Sequence, residues 1–242
     1  MKTNTVAHKL LGLVLVGGTL AAFSARADLL SFSASYPAPL GEFQIPDWTS
    51  SVTLPRFDPS LGTLNSITFR LSGTVQGSAQ SENTSPSAGN DITLNLSAAL
   101  QLFRPGSLDL ANRLVVTTPT VANTFSASVY DGVTDFAGTS GVTYGGLSAT
   151  KVNKTVFSSD ADKALFTGLG TIDLPLTAIG KSKATGGGSA ISVFDTQARG
   201  EVTVTYNYGT SAVPEPRVYG AFGVLVCAGL AALRRRSTAK KA

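Results

Sequence analysis

Three reactive residue types are almost absent from this chain of 242 residues, which contains one histidine, one cysteine and one methionine. The histidine is His8 and the cysteine is Cys227, so both lie near the ends, and residues 28–211 contain none of the three types. That stretch therefore cannot hold a Ser-His-Asp or Cys-His nucleophile, a zinc site with His or Cys ligands, or a disulfide. A domain of this length can bury a sufficient core without disulfides.

Charged residues are also scarce, at 14% of the chain, and the two signs are unevenly placed. Nine of the nineteen Lys and Arg residues lie outside residues 28–211, which hold ten basic and fourteen acidic residues and carry a net charge of −4. The high isoelectric point of the whole chain therefore reflects its ends. Since no basic cluster interleaved with aromatic residues occurs between them, we predict no nucleic-acid partner.

The N-terminus has the three parts of a secretory signal peptide. Lys2 and Lys9 precede an apolar stretch from Leu10 to Phe23, and small residues follow at Ala25 and Ala27. Signal peptidase reads small residues at these two positions. We therefore predict export through the Sec machinery and cleavage before Asp28, which makes residues 1–27 the signal peptide.

The C-terminus begins with a proline-rich segment, Val213, Pro214, Glu215 and Pro216. The two prolines prevent a helix from running through it. The sixteen residues 218–233 carry no charge, and as a helix they would be about 24 Å long, slightly short of a bilayer core. Arg234, Arg235 and Arg236 follow and would stay on the cytoplasmic side. We predict a transmembrane helix at 218–233.

This order of parts resembles the PEP-CTERM sorting signal of exopolysaccharide-producing Gram-negative bacteria. The resemblance implies that an exosortase recognises the proline segment and removes the tail, so that the protein is held in the inner membrane only before processing. It then reaches the cell surface or extracellular matrix. Arg217 and the long tail 237–242 depart from the usual pattern. The alternative is a membrane anchor that is never cut.

Residues 28–211 show the period of two that is typical of β-strands. Ile67, Phe69 and Leu71 alternate with polar residues, and the same pattern recurs in residues 202–208. The longest run places six apolar residues on one face of a strand: Ile92, Leu94, Leu96, Ala98, Leu100 and Leu102. About ten short strands predict an all-β antiparallel sandwich, with a jelly roll as one possible form and a closed barrel as the alternative.

Two other segments carry local predictions. Residues 76–91 are almost wholly polar and contain Gly77, Pro86 and Gly89, so we predict a long hairpin loop there. Residues 107–113 are expected to form at most one turn of helix. No segment has a helical period over eleven or more residues.

A second resemblance covers most of residues 40–208. The run from Leu54 to Leu64, which leads into the strand 66–71, is similar to the opening of the choice-of-anchor E domain. Residues 135–141 and 203–206 also fit that family. The resemblance implies an extracellular domain without an assigned activity, and we assign residues 28–211 to it and residues 212–242 to the sorting signal.

Acidic loop residues are the remaining candidates for chemistry. Calcium prefers oxygen ligands, and two short segments place acids at alternating positions, although neither matches an EF-hand. The calcium candidates are Asp131, Asp135, Asp160 and Asp162. The same pairs and Asp58 could serve a glycosidase, which uses two carboxylates. We expect instead that loop aspartates cap turns, and we predict no catalytic residues, no cofactor and no enzymatic activity.

Aromatic residues could stack on sugar rings, but we expect most of them to pack in the core. The residues concerned are Trp48, Tyr130, Tyr144, Tyr206 and Tyr208. The sequence thus predicts an exported, non-enzymatic structural or adhesive component of exopolysaccharide or biofilm. The alternative is a carbohydrate-binding module with a calcium-stabilised loop. Its glycan and its oligomeric state do not follow from the sequence.

Overall fold

The computed structural model describes residues 26–186 and 188–210. The strands in these ranges are β1 Arg26–Tyr36, β2 Trp48–Pro55, β3 Thr63–Asn83, β4 Asn90–Phe103, β5 Arg113–Thr117, β6 Thr120–Ala127, β7 Gly141–Phe157, β8 Thr171–Gly180, β9 Lys183–Gly186 and β10 Ala190–Thr210. They are accompanied by one α-helix, α1 Asp160–Phe166, and by two 3-10 turns, Pro59–Leu61 and Leu110–Asn112.

Several predicted features lie outside these ranges. They are the signal peptide up to and including Ala25 and the sorting signal 212–242 with Val213, Pro214, Glu215, Pro216, Arg234, Arg235 and Arg236. Ala27 and Asp28, on the two sides of the predicted cleavage point, lie at the start of β1. In the part of the chain that is described, no helix is both long enough and apolar enough to cross a bilayer.

The strands form two antiparallel sheets. Sheet 1 has the order β1-β10-β3-β7, and sheet 2 has the order β2-β8-β4-β5. β6 continues β5 along β4, and β9 continues β8 on the other side of β4, because their partners are adjacent segments of that strand. Each sheet is therefore four strands wide, and the predicted antiparallel sandwich is confirmed.

The pairing between strands is nested. The first strand pairs with the last, β2 with β8, β3 with β7, and β4 with β5 and β6. The chain thus behaves as one long hairpin whose two arms wind together across both sheets. Eight strand positions in this order make a jelly roll, which was one of the forms the sequence allowed.

The main core lies between the sheets and follows the predicted alternation. Phe69 and Leu71 of β3, Leu100 of β4 and Val202 and Val204 of β10 are all fully buried. α1 closes one end, where Phe166 packs against Phe69 with ring centroids 5.0 Å apart. Sequence periodicity missed this helix because it has only seven residues. The turn Leu110–Asn112 agrees with the turn predicted in 107–113.

The predicted hairpin loop at 76–91 is wrong. β3 continues to Asn83 and β4 begins at Asn90, so the connection is only residues 84–89. The polar half of β3 is a strand because both of its edges are occupied: Gln80 pairs with Val193 of β10 and with Thr143 of β7. Backbone hydrogen bonds on two sides outweigh the weak strand preference of Gly, Ser and Gln in this segment.

Candidate functional site

Asp131 and Asp135 lie in the β6–β7 loop, which comprises residues 128–140. Each carboxylate accepts a hydrogen bond from the backbone two residues later: Asp131 Oδ1 from Val133 at 2.9 Å, and Asp135 Oδ1 from Ala137 at 3.0 Å. Both aspartates are exposed. These are the side-chain turns that aspartate commonly makes in loops, and they account for both residues without a bound ion.

Asp160 and Asp162 lie in the first turn of α1, behind its N-cap Ser159. Asp160 pairs with Lys163 at 2.9 Å, and the Lys163 ammonium lowers the pKa of the Asp160 carboxyl. Partial burial of Asp162 opposes its ionisation, but hydrogen bonds from Ser159 and Arg104 outweigh this and lower its pKa. Arg104 Nη2 lies 2.7 Å from Asp162 Oδ1. Both carboxylates therefore have cationic partners within the protein.

Asp58 precedes the 3-10 turn Pro59–Leu61 and caps it. The backbone N–H of Ser60 donates to Asp58 Oδ1 at 2.8 Å, and this bond lowers the pKa of the carboxyl. The acidic candidates thus have local roles at three separate places. Among the described residues, no three His, Cys, Asp or Glu side chains are grouped so that they could hold a metal ion. Calcium binding stays a prediction.

Most of the aromatic candidates pack inside the sandwich. Trp48 and Tyr206 are buried, and Tyr208 and Tyr144 pack against buried clusters. The Tyr206 hydroxyl donates to the Pro55 carbonyl at 2.7 Å, and burial raises the pKa of this phenol far above its usual value. Tyr130 instead lies in the β6–β7 loop, where its hydroxyl bonds that of Thr134. The expected core packing is confirmed for Trp48, Tyr144, Tyr206 and Tyr208.

A different group of polar residues covers the solvent face of sheet 1. Cross-strand hydroxyl pairs lie between Ser31 and Thr205 at 2.8 Å and between Ser33 and Thr203 at 2.9 Å. A third pair joins β3 to β7, where the hydroxyls of Thr74 and Thr150 are 2.9 Å apart. Apolar side chains on this face lie towards its margins and include Leu29, Val152, Val156, Ile191 and Val193. Charged side chains share this face with the hydroxyls, because Arg199 and Glu201 of β10 lie opposite Thr74 and Ser72, and Arg70 of β3 lies opposite Thr203.

A β-bulge interrupts this face and opens a cleft in it. Gly145 and Gly146 of β7 lie opposite the single residue Ser78 of β3, between the pairs formed by Gly77 and Ala79. Gly77 has a φ of +150°, and any Cβ there would collide with the carbonyl oxygen of Asp195. Glycine is therefore required at this position, because β3 and β10 approach each other too closely for a side chain.

The cleft is about 270 Å³ in volume and is lined chiefly by polar side chains. Gln76 Nε2 donates to Gln197 Oε1 at 3.0 Å across its floor. Asp195 and Ser148 are exposed at its rim. Each carboxamide keeps further donors and acceptors beyond the bond that they share, and Ser148 can do both. We name this site, with Gln76, Ser148, Asp195 and Gln197, the bulge cleft.

Sheet 2 has a more apolar groove of about 370 Å³ on its own solvent face. Thr177 and Gln101 form its floor, and Leu108 and Leu110, which are 52% and 65% exposed, rise beside it. The buried hydroxyl of Thr177 has no hydrogen-bond partner within the part of the chain that the structure describes. This groove matches a hydroxylated ligand less well than the bulge cleft, because more of its lining is apolar.

None of the residues of the bulge cleft was predicted as a site. The sequence does contain a signal, since Gly77 and the pair Gly145 and Gly146 interrupt otherwise strand-like segments, and glycine in a strand often marks a bulge. The pairing of Gln76 with Gln197 has no such signal. These residues are 121 positions apart, and only the register between β3 and β10 brings them together.

Comparison with known proteins does not identify a family. No protein-family model matches the chain, and no curated protein matches it. Among solved structures, that of infectious bursal disease virus strain Gx aligns with 79% of this chain at 10% identity, with a TM-score of 0.16. A mutant VP2 protein of infectious bursal disease virus in T=1 particles also aligns with 79% of this chain at 10% identity, with a TM-score of 0.17.

This chain spans less than half of those viral chains, covering 42% of the first and 41% of the second. Structural similarity at these TM-scores supports no conclusion about the fold or function of this chain. The assignment to an all-β jelly roll therefore depends on the strand order alone.

Proposed function

We propose that this protein is an exported, non-enzymatic component of an extracellular polysaccharide matrix. In this proposal, residues 1–27 direct export, and an exosortase removes the tail after recognising residues 213–216. The domain then stays at the cell surface or in the matrix of a Gram-negative bacterium. The observation that supports a matrix role is the hydroxyl-rich solvent face of sheet 1 with the bulge cleft in its middle.

The hydroxyl and carboxamide groups of this face suit a polysaccharide. Sugar hydroxyls both donate and accept hydrogen bonds, as do the serine, threonine and glutamine side chains that they would meet. Asp195 adds a carboxylate, which can accept bonds from two neighbouring hydroxyls. Each such contact exchanges a bond with water and contributes little alone. A polymer that presents the same unit repeatedly would gain affinity from many weak contacts.

The alternative function, a carbohydrate-binding module with a calcium-stabilised loop, is supported by one observation. The β6–β7 loop contains both Asp131 and Asp135, and its backbone covers Glu82, which is fully buried. Glu82 Oε2 accepts a bond from Phe136 N at 2.8 Å, whereas Oε1 has no hydrogen-bond partner in residues 26–186 and 188–210. Calcium dependence distinguishes the two functions, because only the alternative needs the ion.

Cosedimentation with the host's own polysaccharide tests the matrix role. We expect the double variant Gln76→Ala and Gln197→Ala to lower the bound fraction several-fold, because it removes the paired amides of the bulge cleft. The matched control is Thr93→Ala with Thr124→Ala, since these two hydroxyls form an equivalent pair on sheet 2, 2.7 Å apart. Equal binding by both double variants would contradict a role for the cleft, and loss of binding in EDTA would favour the alternative.

Intact-mass spectrometry of the protein from envelope and medium tests the sorting step. We expect a species that begins at Asp28 and ends near residues 213–216. Recovery of mature protein that still carries Arg234 to Ala242 would show an uncut anchor instead. A full-length chain that keeps residues 1–27 and stays inside the cell would overturn the proposal.

A further inference from the structure

The two lateral sides of the sandwich are protected to different extents. On one side, β7 of sheet 1 lies beside β5 and β6 of sheet 2, and side chains close the gap. Asn153 Nδ2 donates to the Val116 carbonyl at 2.9 Å, and Thr117 Oγ1 donates to the Lys151 carbonyl at 3.0 Å. The bulge interrupts β7, Pro119 interrupts the opposite edge, and the exposed side chains of Lys151 and Lys154 add charge. These are the usual ways in which proteins block edge strands.

The other side has β1 at its edge and lacks these features. β1 pairs with β10 over eleven residues without a register shift. Among the described residues, no backbone group pairs with the outer edge of residues 29–36. Residues 29–36 contain no charge and no proline. A long, straight and uncharged edge of this kind is a template for pairing with another strand.

The side chains of β1 also leave the core incompletely covered. Leu30, Phe32, Ala34 and Tyr36 point towards the core but are only partly buried. Their neighbours on β10, Val202, Val204 and Tyr206, are completely buried. On the solvent face of β1, Leu29 is 69% exposed. A strand added beside β1 would therefore cover apolar surface as well as backbone groups.

β2 lies beside β1 on the same side but is a poorer template. It has eight residues and ends at Pro55, which has no N–H to donate. Its Thr53 hydroxyl is also held by Asp173 of the neighbouring strand. The longer β1 is consequently the edge that an incoming strand would use.

We propose that β1 is a homotypic interface, at which residues 29–36 of one molecule pair antiparallel with the same residues of a second copy. A two-fold axis perpendicular to sheet 1, at the edge of β1, would join the two copies of sheet 1 into one sheet of eight strands. Antiparallel pairing is self-complementary, and the absence of charge in 29–36 brings no like charges together. The segment lies within the predicted mature chain, and the interface does not depend on where the protein is located.

Disulfide trapping tests the pairing directly. The full chain is expressed with its own termini in a Cys227→Ser background, so that it contains no cysteine other than those introduced. Single cysteines at Ser31 and Ser33, and both together, cover the registers in which solvent-facing residues of the two copies meet. We expect oxidation of intact cells to give disulfide-linked dimers with at least one of these three variants. The control is Val156→Cys, which is 59% exposed on the solvent face of β7, and it should stay monomeric.

A charge exchange separates pairing from loss of fold. Ser33→Lys and Ser33→Glu should each weaken self-association in sedimentation by about tenfold or more, because like charges then meet across the two-fold axis. An equimolar mixture of the two variants should recover dimers. Val156→Lys is the matched control and should associate like the wild type.

Two results would overturn the interface. The first is a wild-type protein that sediments as a monomer at every concentration and gives no trapped dimer at Ser31 or Ser33. The second is a pair of charge variants that fold, by circular dichroism, yet associate as strongly as the wild type. Recovery in the mixture could not arise from misfolding, so it would support the interface even if each variant were less stable alone.

Discussion

The two ends of the sandwich bury different kinds of side chain. The large core is the buried cluster around Phe69, Leu100 and Val204, and it is almost entirely apolar. The small core contains only Ala79, Ile92, Leu94 and Ala127 as buried apolar residues. Beside the small core lie buried polar residues of β3, namely Ser81, Glu82 and Asn83. The same pair of long strands, β3 and β10, passes through both ends, so the contrast comes from side chains rather than topology.

Hydrogen bonds take the place of apolar contacts at the polar end. Asn83 Nδ2 donates to the carbonyls of Ala88 at 2.8 Å and Ser128 at 2.7 Å, and its Oδ1 accepts from Ser85 N at 3.1 Å. One side chain thus fixes both the 84–89 connection and the β6–β7 loop. Such bonds add modest net stability but are costly to lose. We infer that the large core supplies most of the stability, whereas the polar end fixes the conformation of the loops.

The sharpest test of this comparison uses two leucines on one strand. Leu100 lies in the large core and Leu94 in the small one, and both are fully buried. We expect Leu100→Ala to lower the free energy of unfolding by about 3–5 kcal/mol and Leu94→Ala by about 2–3 kcal/mol, because fewer neighbours surround the smaller cavity. Denaturant unfolding measures both. Equal losses would mean that the two cores are equally tight.

The next test removes the hydrogen bonds of the polar end. We expect Asn83→Ala to cost about 1–3 kcal/mol, since it leaves two carbonyls without their donor. Hydrogen exchange should become faster in residues 84–89 and 128–140 and change little around Leu100. The control is Asn65→Ala, an exposed asparagine on the same strand. Uniformly faster exchange throughout the domain would contradict a local role for Asn83.

The sequence predicted the large core far better than the polar end. Period-two alternation located β4 from Ile92 to Leu102 and the last half of β10, because one apolar face is what a half-buried strand requires. It failed at 76–91, where the buried residues other than Ala79 are serine, glutamate and asparagine. Their burial depends on partners from β7 and from the 128–140 loop, and local propensity contains no information about such distant partners.

The candidate site was even less visible. The sequence pointed to loop aspartates, whereas the bulge cleft is formed by glutamines that only the strand register brings together. Asp162 illustrates the limit differently. Its residue type suggested an ion ligand, but the structure pairs it with Arg104, 58 positions away. Composition can indicate which chemistry is possible, and only the fold decides which groups meet.

A smaller effect concerns the hydroxyl of Tyr206, a polar group in the large core. Tyr206→Phe removes the bond to the Pro55 carbonyl and should cost about 1 kcal/mol. Burial raises the pKa of the Tyr206 phenol, so its contribution is complete below the unfolded value of about 10 and is lost as the pH rises towards the folded value. The free energy of unfolding of Tyr206→Phe should therefore fall less steeply with rising alkaline pH than that of the wild type.

Tyr208→Phe is the matched control for that experiment, because Tyr208 lies on the same strand and packs on Phe57 with ring centroids 5.2 Å apart. Its replacement should leave the stability nearly unchanged. If the two variants behave alike, the hydroxyl of Tyr206 contributes nothing that the rings do not.

The smallest expected effect concerns the ion pair between Asp162 and Arg104, which holds α1 over the large core. The pKa of Asp162 is lowered from 3.8 in the folded protein, so its contribution is present above that pH and is lost as the pH falls through the folded value. Asp162→Asn should cost up to about 1 kcal/mol at neutral pH, because the bond to Arg104 is charge-assisted but partly exposed. Once the pH is low enough to protonate Asp162 in the folded protein, the variant and the wild type should unfold at similar temperatures. Asp160→Asn should lower the stability less than Asp162→Asn, because the Asp160 carboxylate that pairs with Lys163 is fully exposed. A larger loss of stability in Asp160→Asn would show that helix capping, rather than the ion pair with Arg104, stabilises this end.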